Sequence, residues 1–406
     1  MVLSEKIDSL IRFFLYVLIF WLPYSSAVVE ICVIFSIILL VIKRVVLIKQ
    51  EHLNFFEGFS PRASALNKPI LFFIVACVLS VIQSVFWKQS IYNFFTKTLE
   101  WFVVFFLVLE AFQTKKQIFI ALGIFVFTAF STACDGLVQY YFTHKDLFLG
   151  KALQPDMRIT AAFKTSNGLG GYLAVVLPLV IAMSLNRSWR MYQQILFAIF
   201  SVIIFWALIL TFSRGAWLAA FVGVSVLAMV FFSLRHPKLV KWAVVLIVII
   251  FGCSFGAMEA IDRSDTVQWR IGVWRDSLRM IADRPVFGHG INTFMAVFQS
   301  YRTAHLNEPT YAHNCYLQMT AEIGMLGMGA LLWVLAVLFS SSFKKIRIFA
   351  AKDNELMLLS LGLFAGMAAY FVHCFFDTNL YTLQLSVYIW LVIGLLVATT
   401  NQLEKG

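Results

Sequence analysis

Apolar residues in this chain come in long, nearly unbroken runs. They do not follow the two-residue or 3.6-residue spacing of half-buried elements. Twelve runs stand out, at about 8–23, 27–43, 69–87, 95–112, 117–142, 168–186, 192–212, 215–234, 239–258, 315–340, 355–376 and 380–399. A helix needs about 20 mostly apolar residues to cross hydrocarbon. The pattern therefore predicts an all-α integral membrane protein with about 12 transmembrane helices, and the whole of 1–406 reads as one polytopic domain. The connections at 23–27, 212–215 and 376–380 are very short. The 117–142 run is long enough to tilt or to continue as an extramembrane helix. Lys6, Arg12 and a Ser25-Ser26-Ala27 stretch have the outline of a signal peptide, but a second apolar run follows at once. The first run is therefore read as an uncleaved span of a helical hairpin.

Residues 259–314 interrupt the pattern with the longest polar stretch of the chain, a large loop between predicted helices 9 and 10. Within it, Ile271, Trp274, Leu278 and Ile281 keep a 3,4,3 spacing, which predicts an amphipathic helix over Gln268–Met280. Arg284 to Phe294 reads as a Pro-Gly turn with His289 as a turn residue. The polar, aromatic stretch at 44–68 reads as a solvated loop or an interfacial helix.

Composition agrees with a bilayer. Charged residues make up 13% of the chain and hydrophobic residues 61%, whereas soluble domains are about 25% charged. The six cysteines form no ligand cluster and read as packing residues. No Gly-rich nucleotide loop of the G-x-x-x-x-G-K-[ST] type is present. Neither ATP nor a nucleic-acid partner is expected. An even number of spans places both termini on one side. With the termini inside, 19 of the 32 Lys and Arg are cytoplasmic, as the positive-inside rule requires. The 259–314 loop is then exported against that rule. It carries Arg263, Arg270, Arg275, Arg279, Arg284 and Arg302, and no lysine. Arginine without lysine points to planar, bidentate recognition of phosphate or carboxylate.

Further polar residues fall on the same outer face. Arg214 sits between two apolar runs, where an arginine is costly unless it snorkels or faces a cavity. Arg158 and Lys164 precede the span that starts near Leu169, and Ser166 or Asn167 is a candidate cap for it. His313 and Asn314 open the tenth span, with Glu322 further along it. His313 is a candidate general base. His373 and Asp377 are spaced as an i,i+4 pair, and Asp377 can orient an arginine or a base, or satisfy His373. Asp262, Asp265, Asp276 and Asp283 match no metal motif, so no metal and no cofactor is expected.

Three ordered elements carry a resemblance. They are Ser213-Arg214-Gly215-Ala216-Trp217-Leu218; Arg270-x-x-x-Trp274-Arg275 followed by Pro285-x-x-Gly288-x-Gly290-x-x-x-Phe294; and His313-Asn314-x-x-Leu317-Gln318-x-x-x-Glu322-x-Gly324-x-x-Gly327. The set resembles the O-antigen ligase and polymerase superfamily of bacterial envelope enzymes, over about residues 155–335. The resemblance implies a membrane-embedded, GT-C-like glycosyltransferase in the bacterial inner membrane, with its active site facing the periplasm. It implies a glycan donor on undecaprenyl pyrophosphate and, for a ligase, a sugar hydroxyl of lipid A–core oligosaccharide as acceptor. The product is then lipopolysaccharide. Its functional residues map to His313, Arg214, and Arg270 or Arg275. Apart from the resemblance, Arg158 and Lys164 are candidate pyrophosphate contacts or parts of a plain loop-to-helix junction, and Asn314, Asp377 and Glu322 are candidate supporting residues. Metal- and ATP-independent, inverting transfer is expected. The alternatives are an O-antigen polymerase using the same donor, a protein-glycosylating relative and, in a different class, a lipid-linked glycan flippase.

Overall fold

The computed structural model describes residues 2–235, 237–239, 264–303, 311–351 and 354–405. The predicted ninth span lies outside these residues except for Leu239, as does Arg263. The other eleven apolar runs all fall on helices. These are α1 (Val2–Trp21), α2 (Ser26–Glu51), α3 (Asn67–Ile82), α4 (Trp87–Asn93), α5 (Leu99–Ala111), α6 (Lys115–Val138), α7 (Ser166–Ser184), α8 (Met191–Leu210), α9 (Arg214–Arg235), α10 (Ser264–Asp283), α11 (Cys315–Phe349), α12 (Asn354–His373) and α13 (Leu383–Lys405). Among the described residues, eight helices are long and apolar enough to cross a membrane. The run at 95–112 is jointed: a π-turn at Phe94–Thr98 links α4 to α5. The 44–68 stretch divides between the end of α2 and a helical turn at Phe55–Gly58.

Burial separates the centre of the bundle from its rim. The spanning windows of α7, α12 and α13 are 89% buried, against 22% for α2. Helices that are apolar all round and enclosed on every side form the interior. Small residues let them approach. A Cβ on Gly366 of α12 would lie 2.3 Å from the Val175 carbonyl oxygen of α7, so this contact requires glycine. α7 begins one residue earlier than the sequence suggests: the Thr165 hydroxyl, not Ser166 or Asn167, accepts the Gly168 N–H at 3.0 Å.

α11 is broken at Gly324, which takes φ 66° and ψ −176°. The loop after α10 fills the break. Met325 N–H donates to the Pro285 carbonyl at 2.7 Å, and Gly290 N–H donates to the Glu322 carbonyl at 2.9 Å. A Cβ on Gly324 would stand 2.1 Å from the Val286 carbonyl oxygen. Backbone groups freed by a break inside a spanning helix need such partners.

α10 exists as predicted, but its buried face differs. Val273 and Met280 are fully buried with Phe294 and Phe298, and Trp269 packs against them. Ile271 and Leu278 are exposed. The buried face also contains Asp276 and Ser277. Asp276 accepts the Thr303 N–H at 2.9 Å. A polar residue that finds its partner inside the protein is invisible to a count of apolar spacing.

Candidate active site

The turn between α12 and α13 is the meeting point of three elements that carry Arg214, Arg270 and His313. Three elements converge on Phe376 and Asp377. From α9, a Cβ on Gly215 would lie 2.6 Å from Phe376 Cβ, so the turn carrying Arg214 packs directly on this residue. From α10, Arg270 Nη1 donates to the Phe376 carbonyl at 3.0 Å. From the start of α11, His313 Nδ1 stands 3.4 Å from Asp377 Oδ1. The α11 backbone is tied to the same turn, with Cys315 N–H donating to the Cys374 carbonyl at 2.8 Å.

His313 is held from several directions. Asn314 caps α11, accepting the Tyr316 and Leu317 N–H groups at 3.0 and 3.1 Å. Ahead of it, Trp274 Nε1 donates to the Ala312 carbonyl at 2.9 Å. The Ala312 N–H donates to Gln318 Oε1 at 3.2 Å. The Trp269 ring meets the imidazole edge-on, with 5.3 Å between centroids. His313 itself takes φ 47°, a left-handed conformation that costs a non-glycine residue about 1–3 kcal/mol. Its side chain remains 29% exposed, so one edge of the ring is open.

The surroundings of Asp377 favour its charged form. Burial pushes its carboxyl upward, but the His313 contact, the nearby His373 ring and the Thr378 amide hold it below the ordinary carboxylate range. The Thr378 N–H contact to Oδ1 is 2.8 Å. The predicted pairing of His373 with Asp377 is not the one formed by their side chains. His373 Nδ1 lies 2.6 Å from Asn379 Nδ2, while Asp377 turns to His313. His313, ahead of α11, keeps a 29% exposed side chain, whereas His373 is fully buried.

Arg214 is half-exposed at the first position of α9 and has no ion-pair or hydrogen-bond partner among the described residues. The turn before it is strained and braced. Phe212 takes φ 47°. Arg158 Nε donates to the Thr211 carbonyl at 2.8 Å, and its Nη2 donates to Asn167 Oδ1 at 2.7 Å. Arg158 thus positions the Arg214 turn. Lys164 is exposed in the same loop. Arg275 is exposed on α10, without a partner among the described residues.

Glu322 acts on the loop and not beside the imidazole. Its carboxylate accepts the Asn292 N–H at 2.8 Å and the Phe294 N–H at 3.0 Å. Gln318 connects it to Ala312, with Nε2 3.5 Å from Glu322 Oε1. His289 is a structural residue: Nε2 lies 3.0 Å from the Met280 carbonyl oxygen, and burial holds its pKa below the ordinary value. Sequence reasoning missed Phe376, Gln318 and Trp269. Phe376 contributes a carbonyl, which every residue has. Gln318 stood inside the α11 motif without a role. A polar residue in an otherwise apolar span was the available signal.

The site thus offers an imidazole with one open edge, the Asp377 carboxyl group beside it, and two guanidinium groups on elements packed against the same turn. Such a set can take a proton from a hydroxyl and balance negative charge developing on a leaving group. A family model described as O-antigen ligase matches residues 199–333, a stretch that holds Arg214, α10 and His313. Comparison with curated proteins gave no match.

Proposed function

We propose that this multi-pass membrane protein, whose residues 199–333 match a family model described as O-antigen ligase, transfers a glycan from undecaprenyl pyrophosphate to a sugar hydroxyl of lipid A–core oligosaccharide. The observation that carries the reading is the convergence of Arg270, His313 and the turn that carries Arg214 on Phe376–Asp377. Asp377 orients His313 through Nδ1, leaving Nε2 to accept the proton of the acceptor hydroxyl. The acceptor oxygen bonds to the anomeric carbon as the bond from that carbon to the phosphate oxygen breaks. The electron pair leaves with the lipid diphosphate. Arg214, together with Arg270, balances that charge in a site of low dielectric. One displacement inverts the anomeric centre. Neither metal nor nucleotide enters the step, because the pyrophosphate bond is already activated.

In this reading the twelve spans of the sequence analysis hold, both termini are cytoplasmic, and the site opens to the periplasm. The cationic loops on one face support it. The test is a reconstituted reaction: purified protein, undecaprenyl-pyrophosphate glycan and lipid A–core, without added metal or nucleotide. Glycan on lipid A–core supports a ligase. Lengthening of the donor glycan indicates a polymerase, and movement of the donor across the bilayer without transfer indicates a flippase.

A further inference from the structure

The segment after α6 carries a second feature, outside the proposed catalytic residues. α6 continues through a π-turn to Thr143, and the chain then folds back as a hairpin closed by a Lys145–Ala152 bridge. Its tip is Leu147-Phe148-Leu149, three large apolar residues that are 61%, 49% and 50% exposed. A water-facing loop has no use for three such residues in a row.

The tip lies at the level of the bilayer boundary. A helix rises 1.5 Å per residue, so α6 covers about 30 Å from Lys115 to Asp135, about the thickness of the hydrocarbon core. Asp135 Oδ1 accepts the Leu147 N–H at 2.7 Å, which fixes the tip at that level. Two contacts agree. The Phe148 ring packs on Tyr24 with 4.3 Å between centroids, and the Tyr24 hydroxyl is 3.2 Å from that of Thr132 on α6. Tyr24 belongs to the short connection between α1 and α2, where the chain turns at the end of a span.

The tip backbone is also satisfied in the way that a lipid-facing loop demands. Asp146 Oδ1 accepts the Phe148 and Leu149 N–H groups at 3.1 and 2.6 Å, and its Oδ2 accepts the Lys151 N–H at 2.5 Å. Both carboxylates are buried. The amides are therefore turned inward onto protein acceptors and the side chains outward. The base of the hairpin is anchored too: Lys151 Nζ donates to the Ala162 carbonyl at 2.7 Å.

From this geometry we infer that Leu147, Phe148 and Leu149 insert among the acyl chains at the headgroup boundary of the leaflet at the far end of α6 from Lys115. The hairpin is an interfacial anchor whose partner is bilayer lipid. It holds the 158–163 segment, and with it Arg158, at a set depth.

The test uses the full chain in nanodiscs. A bimane label is placed at Phe148→Cys and, separately, at Leu149→Cys, with the six native cysteines replaced. Ser188→Cys serves as the water-exposed reference. The expected result is a blue-shifted emission that is lost in nanodiscs of acyl-brominated lipid and unmoved by iodide. Quenching by iodide as at position 188 would overturn the inference, as would protection from both quenchers, which would mean that protein covers the tip. If removing the cysteines prevents folding, benzoylphenylalanine at position 148 in the otherwise native chain gives the same decision. Adducts of lipid mass support insertion, and adducts to a second copy of the chain, or none to lipid, contradict it.

Discussion

Asp377 Oδ1 stands 3.4 Å from His313 Nδ1, joining the turn before α13 to the start of α11. The contact is longer than a strong hydrogen bond, and Asp377 is at the same time bonded to the Thr378 amide. In the proposed mechanism it orients the ring while leaving the exposed edge free. Removing the base should cost about 100- to 10,000-fold in transfer rate. Replacing Asp377 with Asn should cost on the order of 100-fold through misplacement of the ring. Rates of His313→Ala and Asp377→Asn at saturating donor check this. Near-normal turnover in His313→Ala would remove the residue from the mechanism.

The two arginines should separate when stability and activity are measured together. Arg214 has no partner among the described residues, so Arg214→Ala should leave the melting temperature in detergent unchanged while lowering transfer about 100- to 1,000-fold. Arg270→Ala should lower transfer and also destabilise by about 1 kcal/mol, because the Phe376 carbonyl loses its donor. Equal melting temperatures for the two variants would contradict the structural role of Arg270.

Arg158→Ala should reduce transfer without affecting substrate directly, by releasing the Thr211 carbonyl and the Asn167 side chain. Lys164→Ala should leave stability untouched, since Lys164 is exposed. If Lys164 contacts the diphosphate, its effect falls on KM for the donor, whereas that of Arg158 falls on kcat. Melting curves and donor titrations of both variants separate the two roles.

Gly324→Ala should be among the most destabilising single changes in the chain. The new methyl would meet the Val286 carbonyl, and the left-handed φ alone costs about 1–3 kcal/mol. A melting temperature within one degree of wild type would show that the break in α11 is not needed for packing.

His289 gives a pH dependence whose sign is fixed. Burial lowers its folded pKa below the unfolded value, which is about 6.5. The unfolded chain therefore binds a proton more readily than the folded one. Its contribution is fully present above pH 6.5 and declines as the pH falls from there toward the folded pKa. Melting temperatures of wild type and His289→Gln, compared from pH 8 to 5, should show a wild-type loss on the acid side that the variant lacks.

Long apolar runs made the helices legible, because hydrocarbon leaves few alternatives to a helix of a given length. The same reading singled out Arg214 and His313, since a charge or an imidazole at the end of an apolar run is conspicuous. It missed the partners that position them. Phe376 acts through its carbonyl and Gln318 through an amide beside Ala312. Neither has a periodicity or a charge to mark it. The buried face of α10 was misread for a related reason: Asp276 and Ser277 lie inside it. His373 and Asp377 show the limit of local spacing. Their i,i+4 relation is real along the backbone, where the Asp377 N–H donates to the His373 carbonyl at 3.2 Å. The Asp377 side chain nevertheless goes to a residue on another helix.

The most direct test of the central claim is a single reconstituted reaction in nanodiscs. Wild type, Arg214→Ala and His313→Ala are supplied with undecaprenyl-pyrophosphate glycan and lipid A–core, with no metal or nucleotide added, and the anomeric configuration of the product is read by NMR. The account predicts glycosylated lipid A–core with inverted configuration from wild type, and at least a hundredfold less from either variant. Retained configuration, or undiminished product from both variants, would contradict it.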